Sequence, residues 1–140
     1  CDVVIGSDQV VMALTETRLG LIPATIGPYV VARMGAARAR RVFMSGRRFD
    51  AAEAVQLGLL ARAVPEADLE AAVEAEVAPY LDCAPGAVGQ AKALVRALGP
   101  RIDEDTIAMT ISALTDCWEG AEAREGIGAF FERRKPHWQG

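Results

Sequence analysis

"SGRRFDAAEAVQLGLLARAV", residues 45–64, is the stretch that indicates most directly how this chain folds. Asp50 and Glu53 are three residues apart, which is the pattern of a capping box at the start of a helix. Gly58 is placed to end that helix, and the apolar run at residues 59–64 predicts a short strand. A helix that passes directly into a strand favours an α/β fold.

Two further strands are predicted near the start of the chain. Residues 3–5 form a continuous apolar run closed by Gly6, which is typical of a strand buried on both faces in a parallel sheet. Residues 10–14 form a second β-like run. So few strands cannot make a stable sheet alone, and the first reads as a strand entered in its middle. We therefore expect the rest of the sheet to lie upstream of Cys1.

Helices are predicted for most of the remaining chain. Thr25 is expected to cap a helix that starts near Pro28 and ends at Gly35. Pro79 is expected to bend or end the helix that it falls in. The other predicted helices cover residues 36–44, 69–80, 85–98, 103–118 and 121–133. In the helix capped by Asp103, the apolar side chains Ile107, Ile111 and Leu114 are expected to point inward.

Composition excludes several classes of protein. A length of 140 residues suits one domain or a part of a larger one, and a hydrophobic fraction of 51% argues against disorder. The net charge of −4 argues against a nucleic-acid or anionic-membrane surface, and no apolar run is long enough to span a membrane. The three cysteines (Cys1, Cys83 and Cys117) show no CxxC spacing, so we expect reduced, mostly buried thiols in a cytoplasmic protein.

Few side chains stand out as candidates for chemistry. Glu16 is the only acid in residues 15–35 and has Leu14 and Leu19 nearby. Taken alone, it is more often a solvated loop charge than an acid or base in an apolar pocket. His137 is the only histidine and is read as a tail residue, because a metal site there would lack companion ligands. The clustered arginines are read as solvated helix faces or as a site for a small phosphorylated ligand.

Three segments together resemble a known family: "CDVVIGSD", "TETRLGLIPATIGPYVVARMGAARARRVFMSGRRFDAAEAVQLGLLARAVP" and "EAREGIGAFFERRKP". At this spacing they are similar to the C-terminal half of the crotonase (enoyl-CoA hydratase/isomerase) superfamily. The resemblance implies an α/β fold, predominantly α in this chain. Residues 1–64 would be the end of the ClpP/crotonase-like ββα spiral, with the active-site glutamate segment. Residues 65–140 would be the helical C-terminal trimerisation region.

The resemblance also implies a reaction. Crotonase hydratases add water across the C2=C3 bond of an enoyl-CoA, with two carboxylates sharing the proton transfers and backbone N–H groups holding the thioester oxygen. Glu16 matches the second carboxylate and would deliver a proton to C2, since apolar neighbours favour the protonated form of a carboxyl group. The first carboxylate and most of the oxyanion hole would precede Cys1. One alternative is therefore a double-bond isomerase, which can work with one carboxylate; another is a non-catalytic assembly module.

Three residues match the family's binding positions. Ala24 replaces a glycine whose backbone lies near the catalytic water, and Phe130 and Arg133 match residues that reach the adenine and phosphates of CoA in a neighbouring subunit. The variant "PATIGPYV" resembles bacterial 3-methylglutaconyl-CoA hydratases of leucine degradation and the related carboxygeranoyl enzymes. The resemblance implies an acyl-CoA substrate with no separate cofactor, a homotrimer or dimer of trimers, and no nucleic-acid or membrane partner.

Overall fold

The fold of residues 1–140, all of which are described by a computed structural model, is predominantly helical. Four strands of three residues each were found: β1 (Ile5–Ser7), β2 (Val11–Ala13), β3 (Arg48–Asp50) and β4 (Arg62–Val64). The helices are α1 (Gly27–Met34), α2 (Ala36–Phe43), α3 (Ala51–Gln56), α4 (Leu69–Leu81), α5 (Pro85–Leu98), α6 (Glu104–Glu119) and α7 (Ala121–Phe131). Short 3₁₀ turns cover Glu16–Leu19, Glu66–Asp68 and His137–Gln139. The first of these is called the Glu16 turn below.

The strands form two small pairs. β1 runs parallel to β4, with Ile5 opposite Arg62 and Ser7 opposite Val64, and β2 pairs with β3. The parallel pairing agrees with the expected parallel sheet, but the strand covers Ile5–Ser7 instead of residues 3–5 and is half-buried rather than buried on both faces. A Cβ at Gly6 would lie 2.7 Å from the end of the Leu60 side chain, so a larger residue at this position would displace that leucine.

The chain divides into two compact units that are interleaved along the sequence. Residues 1–12 and 49–101 form the first unit, and residues 13–48 and 102–140 form the second. The predicted division between residues 64 and 65 refers to the family's spiral and helical regions and stays a prediction.

In the first unit, helices pack on the parallel strand pair. α3 packs against β4 and α4 packs against β1, which buries Phe49, Ala51, Ala54, Leu57, Leu60 and Ala72. Arg62 of β4 donates from Nη2 to the carbonyl oxygen of Ala72 at 2.6 Å. This bond ties the strand to the first turn of α4.

In the second unit, helices pack on one another. α1 packs against α2, α6 against α7, and α7 against the Glu16 turn. The buried apolar side chains are Leu14, Ala24, Met34, Ala39, Val42, Ala123 and Ala129. Alanine is frequent in this set, so the helix backbones approach one another closely.

The predicted helix starts are confirmed at two of three places. Asp50 accepts a hydrogen bond from the Glu53 N–H at 2.9 Å, and Asp103 accepts one from the Thr106 N–H at 3.0 Å. The predicted cap at Thr25 is wrong: α1 begins at Gly27, its N-cap is Ile26, and no side chain caps it. A helix that begins one residue later leaves Thr25 out of the capping position.

α4 ends at Leu81, close to Pro79, which agrees with the expectation that this proline bends or ends the helix nearby. Two other expectations are corrected. The last helix ends at Phe131 rather than at residue 133, because Arg133 adopts a left-handed φ of 55°. The cysteines are free, but Cys1 and Cys83 are exposed and Cys117 is half-buried, so the expectation of buried thiols is wrong. None of the helices combines the length and apolar character that a membrane span requires.

Candidate active site

The Glu16 turn is a single 3₁₀ turn between a buried leucine and a left-handed glycine. The Arg18 N–H donates to the Thr15 carbonyl at 3.0 Å, and the Leu21 N–H donates to the Glu16 carbonyl at 3.1 Å. Gly20 follows with φ 72°, a conformation that favours glycine. These bonds fix the backbone on both sides of the glutamate.

The carboxylate of Glu16 is partly enclosed. Its Oε2 atom is buried and has no hydrogen-bond partner. Leu14, which is apolar and lies two residues earlier in the sequence, is also buried. Leaving a buried carboxylate oxygen without a donor is unfavourable, and native proteins tolerate such atoms mainly where they serve a function. Without the family resemblance, the residue pattern favours a solvated loop charge at Glu16, whereas the structure gives this residue a buried oxygen.

Helix α7 supports the Glu16 turn through two glycines. A Cβ at Gly126 would lie 2.5 Å from the carbonyl carbon and oxygen of Leu19, and a Cβ at Gly20 would lie 2.6 Å from the backbone nitrogen of Ala123. Neither position has room for a side chain. On another side, the Thr17 hydroxyl donates to the Phe43 carbonyl at 3.2 Å. The turn is therefore held against both α7 and the end of α2.

Ala24 lies in an apolar groove of the same unit. The groove has a volume of about 300 Å³ and is lined by Ala24, Thr25, Pro28, Tyr29, Ile102, Ile107, Thr110, Ile111 and Leu114. The expectation that Ile107 and Ile111 point into a core is wrong, because both are exposed in this chain and line the groove wall. An apolar groove beside a short loop can accept the hydrocarbon part of a small ligand.

The C-terminus of α7 places Phe130 and Arg133 on an exposed end. The Arg134 N–H donates to the Ala129 carbonyl at 3.0 Å and the Arg133 N–H donates to the Phe130 carbonyl at 3.2 Å, the two bonds of a Schellman motif. Arg133 occupies the left-handed position of this motif, where glycine is usual, and is the only non-glycine residue with positive φ. Phe130 is 66% exposed and stacks edge-on against Phe131 at 5.6 Å.

Sequence analysis missed the role of Arg134. Its Nη1 and Nη2 atoms donate to the two oxygens of Glu125 at 2.6 and 2.7 Å, and its Nε donates to Glu132 Oε2 at 2.6 Å. The His137 N–H also donates to Glu125 Oε1 at 3.0 Å. Glu125 and Arg134 are nine residues apart, which is not a helical pair spacing, so the sequence carried no signal for this contact.

These contacts shift the acidity of the pair. The hydrogen bonds from Arg134, followed by the backbone N–H of His137, lower the pKa of Glu125 to about 2, against the opposing effect of desolvation. The same carboxylates, Glu125 first and then Glu132, raise the pKa of Arg134. Both groups stay charged at neutral pH. No three His, Cys, Asp or Glu side chains lie together as a metal site would require.

Comparison with known proteins gives these features a context. The sequence profile of the family described as enoyl-CoA hydratase/isomerase matches residues 1–140. A Thermus thermophilus protein named as an enoyl-CoA hydratase is 30% identical over 140 residues, which are 99% of this chain and 54% of that protein. The carnitinyl-CoA dehydratase of Proteus mirabilis is 30% identical over 144 residues, covering 99% of this chain and 55% of that protein.

The structural comparison agrees. The crystal structure of an enoyl-CoA hydratase from Mycobacterium avium superposes with a TM-score of 0.86 at 34% identity, covering 99% of this chain and 54% of that one. This chain spans about half the length of the curated relatives it matches. The expected fold, part of a crotonase-like α/β protein with a large helical portion, is confirmed. The chain belongs to the enoyl-CoA hydratase/isomerase family of the crotonase superfamily.

Proposed function

We propose that the full-length protein is an enoyl-CoA hydratase in which Glu16 transfers a proton at C2 of the substrate. The observation that carries the proposal is the buried, unpartnered Oε2 of Glu16 in a turn fixed by close backbone packing. A carboxyl group positioned in this way can exchange a proton with a carbon atom without competition from a neighbouring donor. Relatives named as enoyl-CoA hydratases at about 30% identity support the reaction class.

The proposed chemistry follows from what hydration requires. Water adds its oxygen to C3 and a proton is added to C2, while negative charge develops on the thioester oxygen. Glu16 supplies the proton to C2. A second acid–base group takes a proton from the attacking water, and backbone donors stabilise the thioester oxygen. In this scheme the backbone of Ala24 lies beside the attacking water.

The two remaining site residues are proposed to bind the nucleotide end of CoA in a neighbouring subunit. Phe130 is exposed and can stack on an adenine ring, and Arg133 can pair with a phosphate. The Arg133 side chain makes no hydrogen bond or ion pair within this chain, so its charge is available to a ligand. We also propose a homotrimer or a dimer of trimers in the cytoplasm, with no cofactor apart from the CoA that belongs to the substrate; the support is the family resemblance of the sequence.

Within this reaction class, we propose 3-methylglutaconyl-CoA, an intermediate of leucine degradation, as the substrate. The support is the segment at residues 23–30, which resembles enzymes that act on enoyl-CoAs with an additional carboxylate. The relatives matched here include a carnitinyl-CoA dehydratase, so the acyl group varies among proteins of this similarity.

The test is the hydration rate of the full-length protein with a short unbranched enoyl-CoA and with 3-methylglutaconyl-CoA. Glu16→Gln should lower kcat by about a hundredfold or more, as expected for loss of a general acid–base group, without changing the Kd for CoA. Glu66→Gln is the matched control, because Glu66 also begins a 3₁₀ turn but is exposed. Full activity of Glu16→Gln would remove Glu16 from the mechanism, and absence of hydration with both substrates would refute the reaction.

A further inference from the structure

Two adjacent arginines, Arg133 and Arg134, follow the end of α7 and differ in their contacts. Arg134 is fully engaged, with three short hydrogen bonds to carboxylate oxygens of Glu125 and Glu132. Arg133 makes no hydrogen bond or ion pair within the chain. Two neighbouring side chains of the same type therefore have different tasks, and the sequence "ERRK" gives no sign of which is which.

The conformation of Arg133 requires something to hold it. A residue with a side chain is less stable in the left-handed region than glycine is, and φ at Arg133 is 55°. The Arg134 N–H, bonded to the Ala129 carbonyl, closes the turn from the backbone side. The Arg134 guanidinium, bound to both oxygens of Glu125, closes it from the side-chain side.

The same carboxylate also holds the chain beyond the turn. Glu125 Oε1 accepts from the His137 N–H at 3.0 Å, so the segment after Pro136 is fixed to the same point as Arg134. Glu125 lies one residue before Gly126, which packs against the backbone of Leu19. The anchor is therefore next to the point where α7 contacts the Glu16 turn.

We propose that Glu125 and Arg134 are positioning residues that hold Arg133 and Phe130 in place for the nucleotide end of CoA. This inference rests on the function proposed above. Glu125 carries no positive charge and does not itself bind the ligand. It acts by fixing Arg134, and the fixed Arg134 holds the left-handed turn at Arg133. A bidentate pair fixes direction as well as distance, so its geometry should matter more than its charge.

The proposal is tested by measuring CoA binding by calorimetry in the full-length protein. Glu125→Gln and Arg134→Lys should each weaken binding of CoA and of adenosine 3′,5′-bisphosphate by about tenfold, as expected for a displaced phosphate contact. Hydration of an enoyl-pantetheine thioester, which lacks the nucleotide, should keep its kcat and KM. Glu122→Gln, which removes an exposed acid from the first turn of the same helix, is the matched control and should bind CoA normally.

The sign of the Glu125→Gln effect separates positioning from simple attraction. Removal of a negative charge near a phosphate site would strengthen CoA binding if only net charge mattered, whereas loss of positioning weakens it. Tighter or unchanged binding, or an equal loss with the pantetheine thioester, would overturn the inference. If the hydratase proposal is wrong, the result differs from these: the wild-type protein would bind CoA but would hydrate neither the CoA thioester nor the pantetheine thioester. A wild-type protein that does not bind CoA would overturn the positioning role.

Discussion

Gly126 of α7 lies directly against Leu19 of the Glu16 turn, so closely that a methyl group on Gly126 would lie 2.5 Å from the Leu19 carbonyl. The helix that supports the proposed catalytic glutamate is thus the same helix whose C-terminus presents Phe130 and Arg133. One helix therefore supports the proposed acid of this subunit and carries the residues proposed to bind CoA in a neighbouring subunit.

Gly126→Ala should destabilise the protein by about 1–3 kcal/mol, because the added methyl forces the Glu16 turn away from α7. Gly128→Ala is the matched control. It lies on the same helix with no atom within 4 Å of the added methyl, and should be stabilising by about 0.5–1 kcal/mol through helix propensity alone. Urea denaturation measures both. Equal stability of the two variants would contradict the close packing.

Arg133→Gly should raise the free energy of unfolding by up to about 1 kcal/mol, because glycine adopts the left-handed conformation without strain. CoA binding should weaken in the same variant. Lys135→Gly removes the same charge two residues later, where φ is negative, and should be neutral or slightly destabilising. Thermal unfolding and calorimetry would measure the two effects, and a loss of stability in Arg133→Gly would contradict the strained turn.

Asp103→Ala should destabilise the protein by about 1 kcal/mol, because α6 loses the cap that Asp103 provides. The carboxylate accepts from the Thr106 N–H at 3.0 Å and from the Thr106 hydroxyl at 2.8 Å. Asp103→Asn keeps an acceptor oxygen in place and should retain most of the stability. If Asn were as destabilising as Ala, the cap would not be the reason.

Glu125→Gln should lower the free energy of unfolding at pH 7. The difference in stability between wild type and variant should become smaller as the pH falls. The pKa of Glu125 is about 2 in the folded protein and 4.5 as the reference value, so its ionised form stabilises the fold above pH 4.5. That contribution decreases between pH 4.5 and about pH 2 as the folded carboxylate takes up its proton. The urea midpoints of wild type and variant, measured from pH 7 to pH 3, should therefore converge. A constant difference would exclude this carboxylate as the source.

Much of the local structure follows from the sequence because it depends on neighbouring residues. The cap at Asp50 and the end of α1 at Gly35 are set within a few residues, and both were predicted correctly. The prediction of Thr25 as a cap was wrong because the backbone angles of a single residue decide where a helix begins, and the sequence does not fix them. The prediction that Ile107 and Ile111 point inward was wrong for a different reason. An apolar helix face indicates that something covers it, but not whether the covering surface belongs to the same chain.

The sequence by itself determined the family, the approximate helix boundaries and the identity of Glu16 as the candidate acid, since three motifs at fixed spacing specify them. Only the tertiary structure decided how Glu16 is held, because the pairs Gly126–Leu19 and Gly20–Glu122 bring together residues about a hundred positions apart. It also decided that Arg134 is anchored while Arg133 is available. That distinction depends on the sign of one φ angle and on a carboxylate nine residues away, and neither leaves a pattern in the sequence.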